Sequence, residues 1–139
     1  MALTIIIPDD SFQDWFNKQN EVINEINKIH AFLEVDTHST SVGMFGYIDS
    51  SGTVQPADAS SSLTYSNCFV IESANPGKAI GSGYIKDVQV ENAVTVSIGD
   101  SIYLSENEPG KVTNVLTGDF LGIALTATSS HLINMWYKN

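Results

Sequence analysis

With 139 residues, 42% apolar and 16% charged, the chain has the composition of one globular domain and too many aliphatic and aromatic side chains for a disordered tail. Six basic residues against 16 acidic ones leave a formal net charge of −10, which excludes the clustered Lys and Arg that hold nucleic-acid phosphates or an anionic membrane surface. The single cysteine, Cys68, excludes an intrachain disulfide, and its apolar neighbours in "NCFVIES" mark it as a buried, inert thiol.

The start, "MALTIIIPDD", has no basic segment ahead of its isoleucines, and its apolar run is too short for a signal or a membrane span. The protein is expected to stay where it is made or to leave by assembly into something larger. Leu3, Ile5 and Ile7 alternate as in a short strand, which Pro8 ends. Asp10 and Ser11 each offer an N-cap, with Gln13 and Asp14 three residues on. The helix this predicts continues to about Glu34, and about 24 residues at ~1.5 Å each span roughly 36 Å.

That helix carries a seam. Phe12, Trp15, Gln19, Val22, Ile26, Ile29 and Leu33 recur at alternating steps of three and four. With Phe12, Gln19, Ile26 and Leu33 as a positions, Trp15, Val22 and Ile29 fall at d, and Gln13, Asp14, Asn17, Asn20, Glu21, Asn24, Asn27 and Lys28 at b, c and f are polar. Isoleucine at both a and d favours three or more strands, and Gln19 would fix the register, so a homotrimeric coiled coil is one expectation. Phe16, Ile23 and His30 at e, with Phe32 at g, widen the stripe beyond what a dimer needs. A wide stripe also suits a helix lying on its own β-sheet or on another protein. Either way Phe12, Trp15 and Phe16 are the anchor candidates.

From residue 36 the grammar changes to Thr, Ser, Gly and Val, with turn signals at short intervals. Strands are expected near Val42–Ile48 and within "LTYSNCFVIES", separated by a turn at Asp49–Gly52 and ended by "NPG" at Asn75–Gly77. "NPGKAIGSG" then suggests a hairpin. In "VQVENAVTVSI", Val88, Val90, Val94, Val96 and Ile98 share one parity, the pattern of a strand with one dry face. "SIYLS", "KVTNVL", "FLGIALTAT" and "HLINMWYK" follow, divided by Gly, Pro and Asp turns. The expected fold class is mainly β with one N-terminal helix: a segment 1–35 holding strand and helix, then an antiparallel barrel or sandwich over 36–139.

Catalytic and metal chemistry is not evident in the residues. His30, His38 and His131 are dispersed, and "DTH" at Asp36–His38 suits a solvated turn better than a metal site. The Gly-Lys pair of "NPGKAIGSG" lacks the spaced glycines of a phosphate loop, and no serine sits in a nucleophile elbow. Acid pairs such as Asp9–Asp10 and Glu106 with Glu108 sit in turns, and no twelve-residue calcium loop surrounds them. The expectation is a protein without catalysis, cofactor or metal. Tyr47, Tyr65, Tyr84, Trp136 and Tyr137 are the candidates for surface recognition, of a host glycan or receptor for example.

Two segments carry a resemblance. "TIIIPDDSFQDWFNKQNEVINEINKI" resembles the N-terminal helical segment of small structural and fibre proteins of tailed bacteriophages, and "VSIGDSIYLSENEPGKVTNVLTGDFLGIALTAT" is similar to a β-module of phage head-decoration and tail-fibre proteins. Residues 36–85 carry no such resemblance. The resemblance implies a virion component assembled in the host cytoplasm: a trimeric decoration or head-fibre protein, attached to other virion proteins through its N-terminal segment. A tail-fibre or neck component, or a receptor-binding module of the tail, is the alternative it leaves open.

Overall fold

Apolar alternation and closely spaced turns fold most of the chain into two antiparallel sheets of five strands each. The structure, a computed structural model, describes residues 13–20 and 32–138. The strands are β1 (Leu33–Val35), β2 (Phe45–Ile48), β3 (Val54–Pro56), β4 (Cys68–Glu72) and β5 (Gly77–Ile80), then β6 (Gly83–Gln89), β7 (Ser101–Leu104), β8 (Val112–Thr113), β9 (Phe120–Ala124) and β10 (Leu132–Tyr137). The first sheet runs β1-β5-β4-β2-β3 and the second β6-β10-β9-β7-β8, so each sheet is built from one half of the β region.

The inner faces share one core. Phe45 of β2 packs 5.1 Å from Phe69 of β4 and edge-on, 4.9 Å between centroids, to Tyr137 of β10. Ile85, Ile102, Leu121, Ile133 and Met135 fill the second sheet's side, each at most 2% exposed. Burying a side chain of this size contributes about 1.5–3 kcal/mol. A smaller cluster of Val54, Cys68, Val70 and Ala79, with Val35 against it, lies on the other face of the first sheet. Buried Thr37 and Thr40 hand their hydroxyl protons to the carbonyls of Glu72 and Val54 there, so neither polar group is left unpaired.

Two compact units divide the chain, 1–31 and 32–139. Residues 13–20 are helical, as expected, with Gln13 Nε2 donating to Asn17 Oδ1 one turn on (3.1 Å). The expected strand at Leu3–Ile7 and the seam positions Phe12, Val22, Ile23, Ile26 and Ile29 lie outside the described residues. The helix does not continue to Glu34. Leu33–Val35 is instead the edge strand β1, paired antiparallel with β5 through Leu33↔Ala79 and Val35↔Gly77. The unit boundary therefore falls at Ala31, not Val35. The reason is tertiary: "FLEV" suits a pleated surface, β5 supplies ladder bonds, and the Lys78 ammonium sits 5.4 Å over the Phe32 ring.

Two β expectations are also corrected. "NPGKAIGSG" is only half a hairpin: its Asn75–Gly77 turn joins β4 to β5 antiparallel, but β6 belongs to the second sheet, and Gly81–Ser82 carries the chain across. The alternation of "VQVENAVTVSI" outlasts its strand. β6 ends at Gln89, Val90 only bridges Val112, and residues 92–100 run as turns and irregular chain. Val96 is nonetheless fully buried, its N–H satisfied by the Thr128 hydroxyl (2.7 Å), whereas Ile98 is 71% exposed. Backbone satisfaction by a side chain here replaces the ladder that the parity implies.

Candidate recognition surface

The second sheet turns one face to solvent, and a flaw in its pleat organises that face. Ile85 and Val88 of β6 both point into the core although an odd number of steps separates them, which requires an extra residue. The ladder shows it: Val88 pairs with Ile133 and Ile85 with Met135, so three steps on β6 oppose two on β10. Asp87 sits in this bulge at φ +55°, and its N–H donates to the Asn134 side-chain oxygen (3.2 Å).

On the outer face Tyr84 stands directly opposite Trp136, which in turn pairs with Ile123 and through it with Ser101. Tyr84 is 49% and Trp136 47% exposed. Tyr103 and Phe120 extend the row, paired in the ladder with their rings edge-to-face at 5.5 Å. Cross-strand aromatics of this kind stabilise a sheet by about 0.2–1 kcal/mol a pair, and a little under half of the Tyr84, Trp136 and Phe120 surface stays open to contact.

Along the edge of β6 run two hollows that meet at Val42 and Asp87. The smaller, about 240 Å³, lies between β4, β5 and β6 with Tyr84 and Lys86 at its rim. The larger, about 460 Å³, is lined by Asp87, Gln89, Lys111, Ser130 and His131 around an apolar floor of Val90 and Leu132. Its wall is closed by the 42–43 loop, where Gln89 N–H donates to Gly43 O (2.9 Å) and Gln89 Nε2 to Val42 O (2.8 Å). Gly43 needs to be glycine: its φ is +87°, and a Cβ there would lie 2.6 Å from the Asp87 carbonyl.

Ser130 and His131 form the far wall as the two central residues of a tight hairpin, Ser129 and Leu132 exchanging both N–H···O bonds at 3.0 Å. Their φ values are +51° and +60°, a mirror-image turn for which Asn-Gly is the usual choice. Holding non-glycine residues there costs about 1–2 kcal/mol each. Beside them Lys111 Nζ bonds Glu108 Oε1 (3.0 Å), and Glu108 also accepts from Asn92 N–H (2.8 Å). The Lys111 bond is the main reason the Glu108 carboxyl is held below its usual range.

A second polar cluster is buried rather than open. Asp119 Oδ2 accepts from both Ser66 N–H (2.8 Å) and the Ser66 hydroxyl (3.1 Å), yet burial pushes its carboxyl above the usual range. Tyr137 Oη is buried beside them without a hydrogen-bond partner, and burial drives the phenol upward too. Asp36 accepts from the exposed His38 ring and backbone, and the ring contact is the chief cause of its lowered pKa. Cys68 is 1% exposed and pushed up to about 11 by burial, a poor nucleophile as expected. Among the described residues no His, Cys, Asp and Glu group is placed to hold a metal ion, and no helix is long and apolar enough to cross a membrane.

The sequence-derived recognition set therefore separates. Tyr84 and Trp136 come together on the surface. Tyr47 and Tyr65 are half-buried against the core, and Tyr137 is inside it, which removes it as a surface group. Of the seam, Trp15, Phe16 and Gln19 are exposed on the described helix and Leu33 is half-exposed in β1. Asp87, Ser130 and His131 were missed, although the Ile85–Val88 spacing and a tight hairpin without Gly or Asn both signal them. Compared with known protein families, curated proteins and solved structures, the chain matches none.

Proposed function

We propose that this chain is a non-catalytic structural protein of a bacteriophage virion, a capsid decoration or head-fibre component. Its N-terminal unit assembles it into a homotrimer and attaches it to other virion proteins, and its β unit is displayed outward. The resemblance of the two quoted segments motivates the reading. The observation that supports it best is the division of labour along the chain. A unit of 31 residues presents Trp15 and Phe16 at 49% and 48% exposure on a helix, while the unit that follows buries its large apolar side chains in a core of its own. Exposed aromatics on an amphipathic helix are the surface that partner helices cover. An acidic, displayed unit also suits the outside of a shell, away from packaged nucleic acid.

Sedimentation of the full chain tests the assembly step. The expected result is three times the chain mass, reduced to the monomer by Ile26→Asp, because a charge in a dry seam costs several kcal/mol, ~2–7 for even an unpaired neutral polar group. A wild-type monomer at micromolar concentration contradicts self-trimerisation. Gold-labelled copies seen on neither head nor tail of purified particles contradict the virion role.

A further inference from the structure

We propose that the trough along β6 is a binding site for an uncharged oligosaccharide, with one sugar ring stacked on Tyr84 and sugar hydroxyls bonded by Asp87, Gln89 and His131. The first ground is where strain collects. Among the described residues, the non-glycine positions with positive φ are Asp87, Ser130 and His131, and all of them line the same 460 Å³ hollow. They come from a strand bulge and from a hairpin, so a single local irregularity does not account for them. Strain of this kind persists where the surrounding structure holds it, and it clusters at ligand sites.

The second ground is charge. The protein carries −10 overall, so an anion meets long-range repulsion. The cations of the trough are already engaged: Lys111 is bonded to Glu108, and Lys86 lies 5.7 Å over the Tyr84 ring. With Asp87 and Glu108 beside them the trough balances near zero, which disfavours phosphate, sulfated or strongly cationic ligands. What remains is a carboxylate, an amide, a hydroxyl and an imidazole beside a half-exposed aromatic rim. This donor and acceptor set fits neighbouring hydroxyls, and the ring face fits the apolar C–H face of a pyranose. The volume lies within the ~300–1,000 Å³ range of small-ligand sites. An added peptide strand is disfavoured because the Gln89 N–H is already taken by Gly43.

The assignment is independent of the virion reading, since a monomer found on no particle would still bind sugar. The test is saturation-transfer NMR on the full chain with uncharged tetrasaccharides of glucose, galactose, mannose and N-acetylglucosamine, and a sulfated tetrasaccharide as comparator. At least one uncharged probe should bind saturably, and Tyr84→Ala should weaken it about tenfold. Asp87→Gly and His131→Gly remove the sugar contacts but relieve the backbone, so they should weaken binding while raising the melting temperature. A purely structural role for these residues would not move the two readouts in opposite directions. Trp15→Ala should leave binding unchanged. The proposal is overturned if no uncharged probe binds at millimolar concentration, if the sulfated probe is preferred, or if both glycine variants bind as tightly as the wild type.

Discussion

The two tryptophans of the chain sit one in each unit and are about equally exposed, at 49% and 47%, so the difference between the units lies in the aromatic residues around them. Trp15 and Phe16 lie on a helix whose described residues are all exposed, and about half of each residue's surface faces solvent. In the β unit Phe45, Phe69 and Tyr137 are closed in the core, and only the outward parity of its strands leaves Tyr84 and Trp136 half-exposed. A residue type alone therefore says nothing about its role. In the β unit the role is set by strand parity, and in the N-terminal unit it is the proposed assembly that would assign one.

The sharpest way to test that contrast is truncation on each side of it. Phe45→Ala should cost the β unit about 3–5 kcal/mol in denaturant unfolding, because it leaves a cavity in a core that cannot collapse around it. Trp15→Ala should change the same transition by less than about 0.5 kcal/mol while weakening the proposed trimer. Equal losses from the two substitutions would break the division. Leu33→Asp probes the boundary. In a dry seam a charge costs several kcal/mol, whereas at a half-exposed edge-strand position the expected loss is below about 1 kcal/mol. A large loss would return Leu33 to the helix.

Smaller effects sharpen the buried end of the comparison. Tyr137→Phe removes a buried hydroxyl without a partner and should raise stability by about 1 kcal/mol; a loss would mean that the hydroxyl is bonded. Asp119 is the pH probe. Its folded pKa is raised above 3.8, so its ionisation disfavours the fold as pH rises through the raised value and has no effect below 3.8. Asp119→Asn should therefore melt slightly higher than wild type near pH 7, with the gain vanishing below pH 3.8. The lowered carboxyls of Asp36, Asp49, Asp100 and Glu108 have the opposite sign, so their stabilisation is present above their unfolded values and is lost as pH falls through the folded ones.

Much of the β unit was legible because its determinants are local. The Asp49–Gly52 turn is written in residues that bond their own backbone, Asp49 Oδ1 accepting from the N–H groups of Ser51 and Thr53. The parity of Ile133, Met135 and Tyr137 against Asn134 and Trp136 also places Tyr137 inside and Trp136 outside. What sequence did not convey depends on distant chain. The diversion of Leu33–Val35 into a strand needs β5, the partition of β5 and β6 into different sheets needs β4 and β10, and the loss of the strand after Val90 needs Val112 and Thr128. The trough was illegible for the same reason, since its walls come from a bulge, a loop and a hairpin far apart in sequence.

Hydroxyl-radical footprinting of the assembled full-length protein, read by mass spectrometry at the two tryptophans, tests the proposed division of labour most directly. Attachment through the N-terminal unit predicts that Trp15 becomes protected on assembly while Trp136 stays as reactive as in the monomer. A Trp15 that remains reactive in the assembly, with Trp136 protected in its place, would contradict it.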